Sequence, residues 1–148
     1  MSRRNQGKFG RPGQQRSRST TRAAAGPTPP PRRPILLVED EPSLREILAH
    51  ILEQEGYRVV TAANGQEALQ LVQREAPALV ITDLMMPVVD GHELLERLDI
   101  LLPSTPVVVL SELERPRLRV RLNVIRVMRK PVTLDALLQV VGGVVSLR

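Results

Sequence analysis

Apolar and polar positions follow different rhythms on either side of residue 34. Before it there is almost no large apolar side chain apart from Phe9. After it, short continuous apolar runs alternate with segments whose apolar residues recur every three or four positions, the pattern of βα units around a parallel sheet. Residues 35–38 form a run suited to a central strand, and Leu44, Ile47, Leu48, Ile51 and Leu52 follow at helical spacing until Gly56. Residues 58–62 read as a second strand. Asn64, with Glu67 three positions on, marks the capped start of a helix carrying Ala68, Leu69, Leu71 and Val72, and Pro77 ends that unit. Residues 79–82 and 107–110 read as further buried strands. Between them a helix over about 92–101 puts Leu94, Leu95, Leu98 and Leu101 on one face, and a last helix is predicted over about 133–141. Five strands joined by helices in right-handed crossovers predict an α/β fold, a flavodoxin-like doubly wound parallel sheet of order 2-1-3-4-5. Ligands then belong at the carboxyl ends of the strands.

Residues 1–34 carry six prolines, four glycines and nine of the chain's 21 basic residues, with none of its 16 acidic ones. Such a segment cannot bury enough surface to offset its ordering entropy, so it is expected to be a disordered tail ending in an extended Pro-rich spacer, with the folded domain over 35–148. Lacking an apolar stretch, it is no secretory signal, although it loosely resembles an organelle transit peptide. The net charge of +5 hides an acidic body. The tail alone could attract nucleic acid or an anionic surface by electrostatics, and without interleaved aromatic rings it would do so without sequence preference. A solvated tail is the simpler reading.

With no cysteine, the chain has no disulfide, thiolate metal site or cysteine nucleophile, and His50 and His92 alone cannot build a zinc site. No apolar run approaches the roughly 20 residues of a bilayer span, so a soluble, cytoplasmic protein is expected.

The chemistry lies at the predicted strand ends. Glu39 and Asp40 follow the first strand, Asp83 the third, Ser111 the fourth and Lys130 the fifth. Carboxylates gathered at one sheet edge repel one another unless a hard cation sits among them, and Mg²⁺ accepts a few oxygen ligands while keeping its waters. A carboxylate can also attack phosphorus, provided metal and ammonium charges neutralise the phosphoryl oxygens.

Three blocks, ILLVEDEP over 35–42, VITDLMMPVVDG over 80–91 and Lys130-Pro131, resemble the signature blocks of response-regulator receiver domains, a resemblance covering about 114 residues. It implies a single-domain, CheY-like switch of a two-component phosphorelay, with no enzymatic activity beyond assisting its own phosphorylation and dephosphorylation. By the same resemblance Asp83 is the phosphoacceptor and Asp40 a direct Mg²⁺ ligand. Glu39 is a second acid acting mainly through water, and the Met85 carbonyl is a further ligand. Ser111 is the switch hydroxyl, and Lys130 pairs with Asp83 before a cis Pro131. The implied partners are a sensor histidine kinase or phosphotransfer protein and a downstream protein.

Three features depart from the family pattern. Val127 stands where similar domains carry Tyr or Phe, and Glu112 stands where the residue after the switch hydroxyl is commonly small. The stretch between Ser111 and Lys130 is short for a helix and a strand, and residues 117–122 alternate Arg with Leu, Val and Leu, so the fourth helix is expected to be short or irregular. The face implied for the downstream target, fourth helix, fifth strand and fifth helix, holds Arg115, Arg117, Arg119, Arg121, Arg126 and Arg129. That run is either a solvated face whose stems cover apolar surface, the reading we prefer, or a surface for an acidic partner. These departures motivate a competing function, a scaffold working without phosphate.

Overall fold

The computed structural model describes residues 32–86, 88–118 and 123–145. The chain divides into two units, Met1–Pro30 and Pro31–Arg148, and the expected disordered tail lies outside the described residues up to residue 31. The last tail residues are seated on the folded unit: Arg33 Nη2 donates to Pro77 O at 2.7 Å, and Ala78 N donates to Pro34 O at 2.8 Å.

The elements are β1 (Ile35–Val38), α1 (Pro42–Gln54), β2 (Val59–Ala62), α2 (Gly65–Arg74), β3 (Leu79–Asp83), α3 (Gly91–Leu101), β4 (Val107–Ser111), β5 (Val124–Arg129) and α4 (Leu134–Val144). All strand pairs are parallel, and the order is β2-β1-β3-β4-β5, as the sequence pattern predicts. Each helix begins on a capping side chain. Glu41 accepts from Ser43 N and Leu44 N ahead of α1, with Pro42 in the first turn, where its missing N–H costs nothing. Asn64, Asp90 and Thr133 cap α2, α3 and α4 in turn. At α2 the reciprocal bond expected of Glu67 goes to Ala63 N, at 2.8 Å.

Alternation along the buried strands divides the core into two layers, because successive strand side chains point to opposite faces. Leu36, Val38, Val80, Val107 and Val109 pack with Ala68, Leu69 and Val72 of α2 and Leu94, Leu95 and Leu98 of α3. Ile35, Leu37, Leu79, Ile81, Val108 and Leu110 pack with Leu48 and Leu52 of α1 and Leu137 and Val141 of α4. Strands β1, β3 and β4 are buried throughout, whereas the edge strand β5 mixes half-buried and exposed positions.

One expectation needs correction. Among the described residues no helix joins β4 to β5: residues 112–118 are bends and irregular backbone, and 119–122, with Arg119 and Arg121, lie outside them. Pro116 denies a helix interior its N–H, and an Arg–apolar alternation of period two gives no single apolar helical face. The helix assumed for the downstream face is therefore not among the described elements, and the last helix is α4.

Candidate functional site

The carboxyl ends of β1, β3, β4 and β5 converge on one edge of the sheet, and each delivers its polar residue there. Glu39 follows β1 with its backbone N bonded to Ala62 O at 3.0 Å, and its side chain is 1% exposed. Asp40, the next residue, is exposed. Asp83 ends β3, registered beside Leu110, and is 5% exposed. Ser111 ends β4 and is 4% exposed, its hydroxyl accepting from Leu113 N at 3.0 Å. Lys130 follows β5, anchored by its backbone N to Ser111 O at 2.7 Å, and its peptide bond to Pro131 is cis.

The ammonium of Lys130 binds the group together. It lies 2.7 Å from Asp83 Oδ2 and 3.2 Å from Glu39 Oε2, so one cation serves two buried carboxylates. Burial pushes the Lys130 pKa down, but the hydrogen bond and charge of Asp83, with those of Glu39, outweigh burial and raise it above 10.5. Glu39 moves up from the usual 4.5 because burial outweighs the lowering by the Lys130 charge, and the Asp83 charge adds to the rise. The two directions agree physically: a cation held by two acids stays charged, while a buried acid that shares one cation with another buried acid is short of compensation.

Carboxylate oxygens of Glu39, Asp40 and Asp83 all lie within 4.8 Å of one another. Three hard oxygen donors, two of them buried, form a set suited to a hard divalent cation. The Met85 side chain is 73% exposed, and its backbone N donates to Asp83 Oδ1 at 3.2 Å, which turns the chain after β3 back over the carboxylate. Gly91 allows that turn to close, its N bonding Leu84 O at 2.9 Å.

Besides the Lys130–Glu39 pairing, two contacts were not foreseen from sequence. Thr82 donates its hydroxyl to Asp83 O at 2.9 Å, and Arg45, in the first turns of α1, donates Nη1 to Glu39 O at 2.8 Å. The second had a signal. A cation near a helix N-terminus opposes the helix dipole, so an arginine there calls for a specific partner. Of the departures, Val127 is half-buried and packs against the α2–α3 layer, and Glu112 is exposed. His50 is exposed, while His92 is half-buried with Nδ1 enclosed and unpaired.

Among the described residues no helix is long and apolar enough to cross a membrane.

Comparison with known proteins agrees with this geometry. The chain is 48% identical over 80 residues to the response regulator Rre1 of Synechocystis, 52% of this chain and 35% of that protein. It is 37% identical over 110 residues to the transcriptional regulatory protein GlrR of Escherichia coli, 72% of this chain and 25% of that one. The chain thus spans about a quarter to a third of the length of these two relatives. Among solved structures, Vibrio cholerae chemotaxis protein CheY4 superposes with TM-score 0.71 at 28% identity, over 77% of this chain and 99% of that one. The Thermotoga maritima response regulator TrrA, solved in complex with Mg²⁺ and BeF, gives 0.69 at 30% identity over 76% and 99%. The family model of the response regulator receiver domain matches residues 35–142, and the chain belongs to that family of two-component signalling domains.

Proposed function

We propose that the domain is a phosphoacceptor switch: Asp83 takes a phosphoryl group, with Mg²⁺ held by Glu39, Asp40, Asp83 and the Met85 carbonyl. The observation that carries this reading is the Lys130 ammonium, 2.7 Å from the Asp83 carboxylate inside an acidic cluster. In the transfer, an Asp83 carboxylate oxygen forms a bond to phosphorus as the bond from phosphorus to the donor nitrogen breaks. The donor is a histidine on a kinase or phosphotransfer protein, and its imidazole keeps the electron pair. Mg²⁺, when bound, neutralises phosphoryl charge and fixes the line of attack.

Lys130 supplies the second positive charge, and its flexible stem lets the ammonium exchange a carboxylate for a phosphoryl oxygen. Ser111, buried beside it at the end of β4, presents a hydroxyl able to donate to the same group. A change of hydrogen bonding at Ser111 is felt along β4 and the connection to β5, and so at the surface read by a downstream protein. We place that surface on β5 and α4, where a groove of about 400 Å³ is lined by Arg126, Val127, Arg129, Ala136 and Val140. Its two arginines suit an acidic partner.

The test is the intact mass of the full chain after incubation with Mg²⁺ and phosphoramidate or acetyl phosphate, beside Asp83→Asn and a chelator control. A single phosphoryl gain lost in both controls is expected. A partner response that persists in a folded Asp83→Asn protein would instead favour a phosphate-independent scaffold.

A further inference from the structure

Arg45 is the fourth residue of α1 and is half-buried, at the end of the helix where a positive charge opposes the helix dipole. Its Nη1 reaches back six positions to donate to Glu39 O at 2.8 Å. β1 ends at Val38, and Glu39 keeps a bond to the sheet through its N, which donates to Ala62 O at 3.0 Å. The Glu39 carbonyl lies beyond the last paired residue of the strand, and the guanidinium gives it a donor there.

That carbonyl belongs to the peptide joining Glu39 to Asp40. One side of the joint carries a carboxylate at 1% exposure and the other an exposed one, and oxygens of both lie within 4.8 Å of each other and of Asp83. A peptide unit is planar, so pinning its oxygen also fixes where the next Cα stands. The direction in which Asp40 leaves the chain is therefore set by the bond that Arg45 makes. The far side of the turn is tied as well: the Glu41 carboxylate accepts from Ser43 N and Leu44 N, and Arg45 N donates to Glu41 O at 3.0 Å. Asp40 is left between two fixed points, Glu41 held by the start of α1 and Glu39 held by the Arg45 side chain.

We infer that Arg45 is a positioning residue for the divalent cation: by holding the Glu39–Asp40 peptide, it keeps the Asp40 carboxylate turned toward Glu39 and Asp83. This rests on the Mg²⁺ site of the reading above. Charge and position pull in opposite directions here. Arg45 is a positive charge bonded to a residue of the acidic cluster, so by charge alone its loss tightens the binding of a divalent cation. As a positioning group, its loss weakens that binding. Groups that orient ligand residues are worth about 10–100-fold in metal affinity, and one acting through a backbone carbonyl belongs near the lower end.

The experiment compares the full-length wild type, Arg45→Met and Arg45→Lys. Mg²⁺ is added to each ¹³C,¹⁵N-labelled protein at fixed ionic strength, and the amide resonances of Asp40, Asp83 and Leu84 are followed. Methionine ranks beside arginine in helix propensity and keeps an unbranched stem, so the variant folds, as its melts and its core amide shifts verify. In Arg45→Met the dissociation constant for Mg²⁺ rises about tenfold. In the same variant without metal, the Glu39 carbonyl ¹³C resonance moves upfield as its hydrogen bond is lost. Arg45→Lys, which keeps the charge and a shorter donor, falls between methionine and the wild type. Unchanged or tighter Mg²⁺ binding in Arg45→Met, a Glu39 carbonyl resonance that stays in place, or a lysine variant as weak as the methionine one would each overturn the inference and leave the Mg²⁺ site standing. A wild-type chain whose Asp40 and Asp83 amides do not respond to Mg²⁺ overturns that site, and the inference with it.

Discussion

Gly91→Ala tests how tightly the turn after Asp83 is closed. A Cβ at position 91 would run into the Asp83 carbonyl oxygen and would lie 2.5 Å from Leu84 Cα and 3.0 Å from Leu84 C. All three are backbone atoms of the turn that carries the carboxylate, so no side chain can rotate out of the way. Inserting a carbon into such a contact costs about 1–3 kcal/mol. Against that, alanine is favoured over glycine by up to about 1 kcal/mol inside a helix, and by less in the first turn where Gly91 sits. The net loss is about 1–2 kcal/mol, which for a folded body of this size lowers Tm by about 5–10 °C. Thermal and urea melts followed by far-UV circular dichroism measure it, since the chain has no tryptophan. The midpoint should fall without a change in the urea slope, because the surface exposed on unfolding is the same. A Tm within about a degree of the wild type would refute the close approach of Gly91 to the Asp83 backbone.

Gly143→Ala should act in the opposite direction: Gly143 lies in the last turn of α4 with nothing within 4 Å of a Cβ, so alanine raises stability by up to about 1 kcal/mol in the same melts. Val88 holds φ 71° with its side chain 74% exposed, so Val88→Asn relieves left-handed strain at little packing cost and stabilises by about 1 kcal/mol; a loss of stability would contradict that backbone geometry. Lys130 is raised above 10.5 by its carboxylate partners despite burial, so its contribution to stability is fully present below pH 10.5 and is lost as pH rises through the higher folded value. The chain's other lysine, Lys8, lies far off in sequence, so NMR of ¹³C-methylated lysines follows two signals. One should titrate above the ordinary lysine value in the metal-free protein and fall below it in Asp83→Asn/Glu39→Gln, where burial remains without the two carboxylates.

The sheet was legible because three of its strands are buried on both faces and so appear as unbroken apolar runs, which leave little choice of register or layer. The cap of α2 was legible for a local reason: Asn64 acts on a backbone group three residues away. The end of α4 was less so. Gly142-Gly143 reads as a break, yet the helix runs on to Val144, since glycine weakens a helix without forbidding it. The connection from β4 to β5 was least legible. Its period-two alternation suits a strand edge, its length suits neither strand nor helix, and Pro116 removes a donor in the middle. At the site, strand ends fixed which residues meet. That Lys130 would divide itself between Glu39 and Asp83 depended on how far a flexible stem reaches, which no spacing encodes.

That division is the physical crux of the site. Two carboxylates at 1% and 5% exposure could have been replaced by apolar residues with a gain in stability, because burying charge costs more than a single shared ion pair returns. The two apolar layers below the site carry the folding of the domain, and the strand ends are left free to hold charge at a loss. Part of that loss falls on Glu39, whose pKa is raised by burial and by the Asp83 charge. A divalent cation among Glu39, Asp40 and Asp83 would remove it, and would free Lys130 to meet an incoming anion. The electrostatic deficit of the acidic cluster and the phosphoryl acceptance proposed for it therefore have one cause. Among the described residues there are too few positive charges at the cluster for the negative ones, and the Lys130 ammonium stands between them.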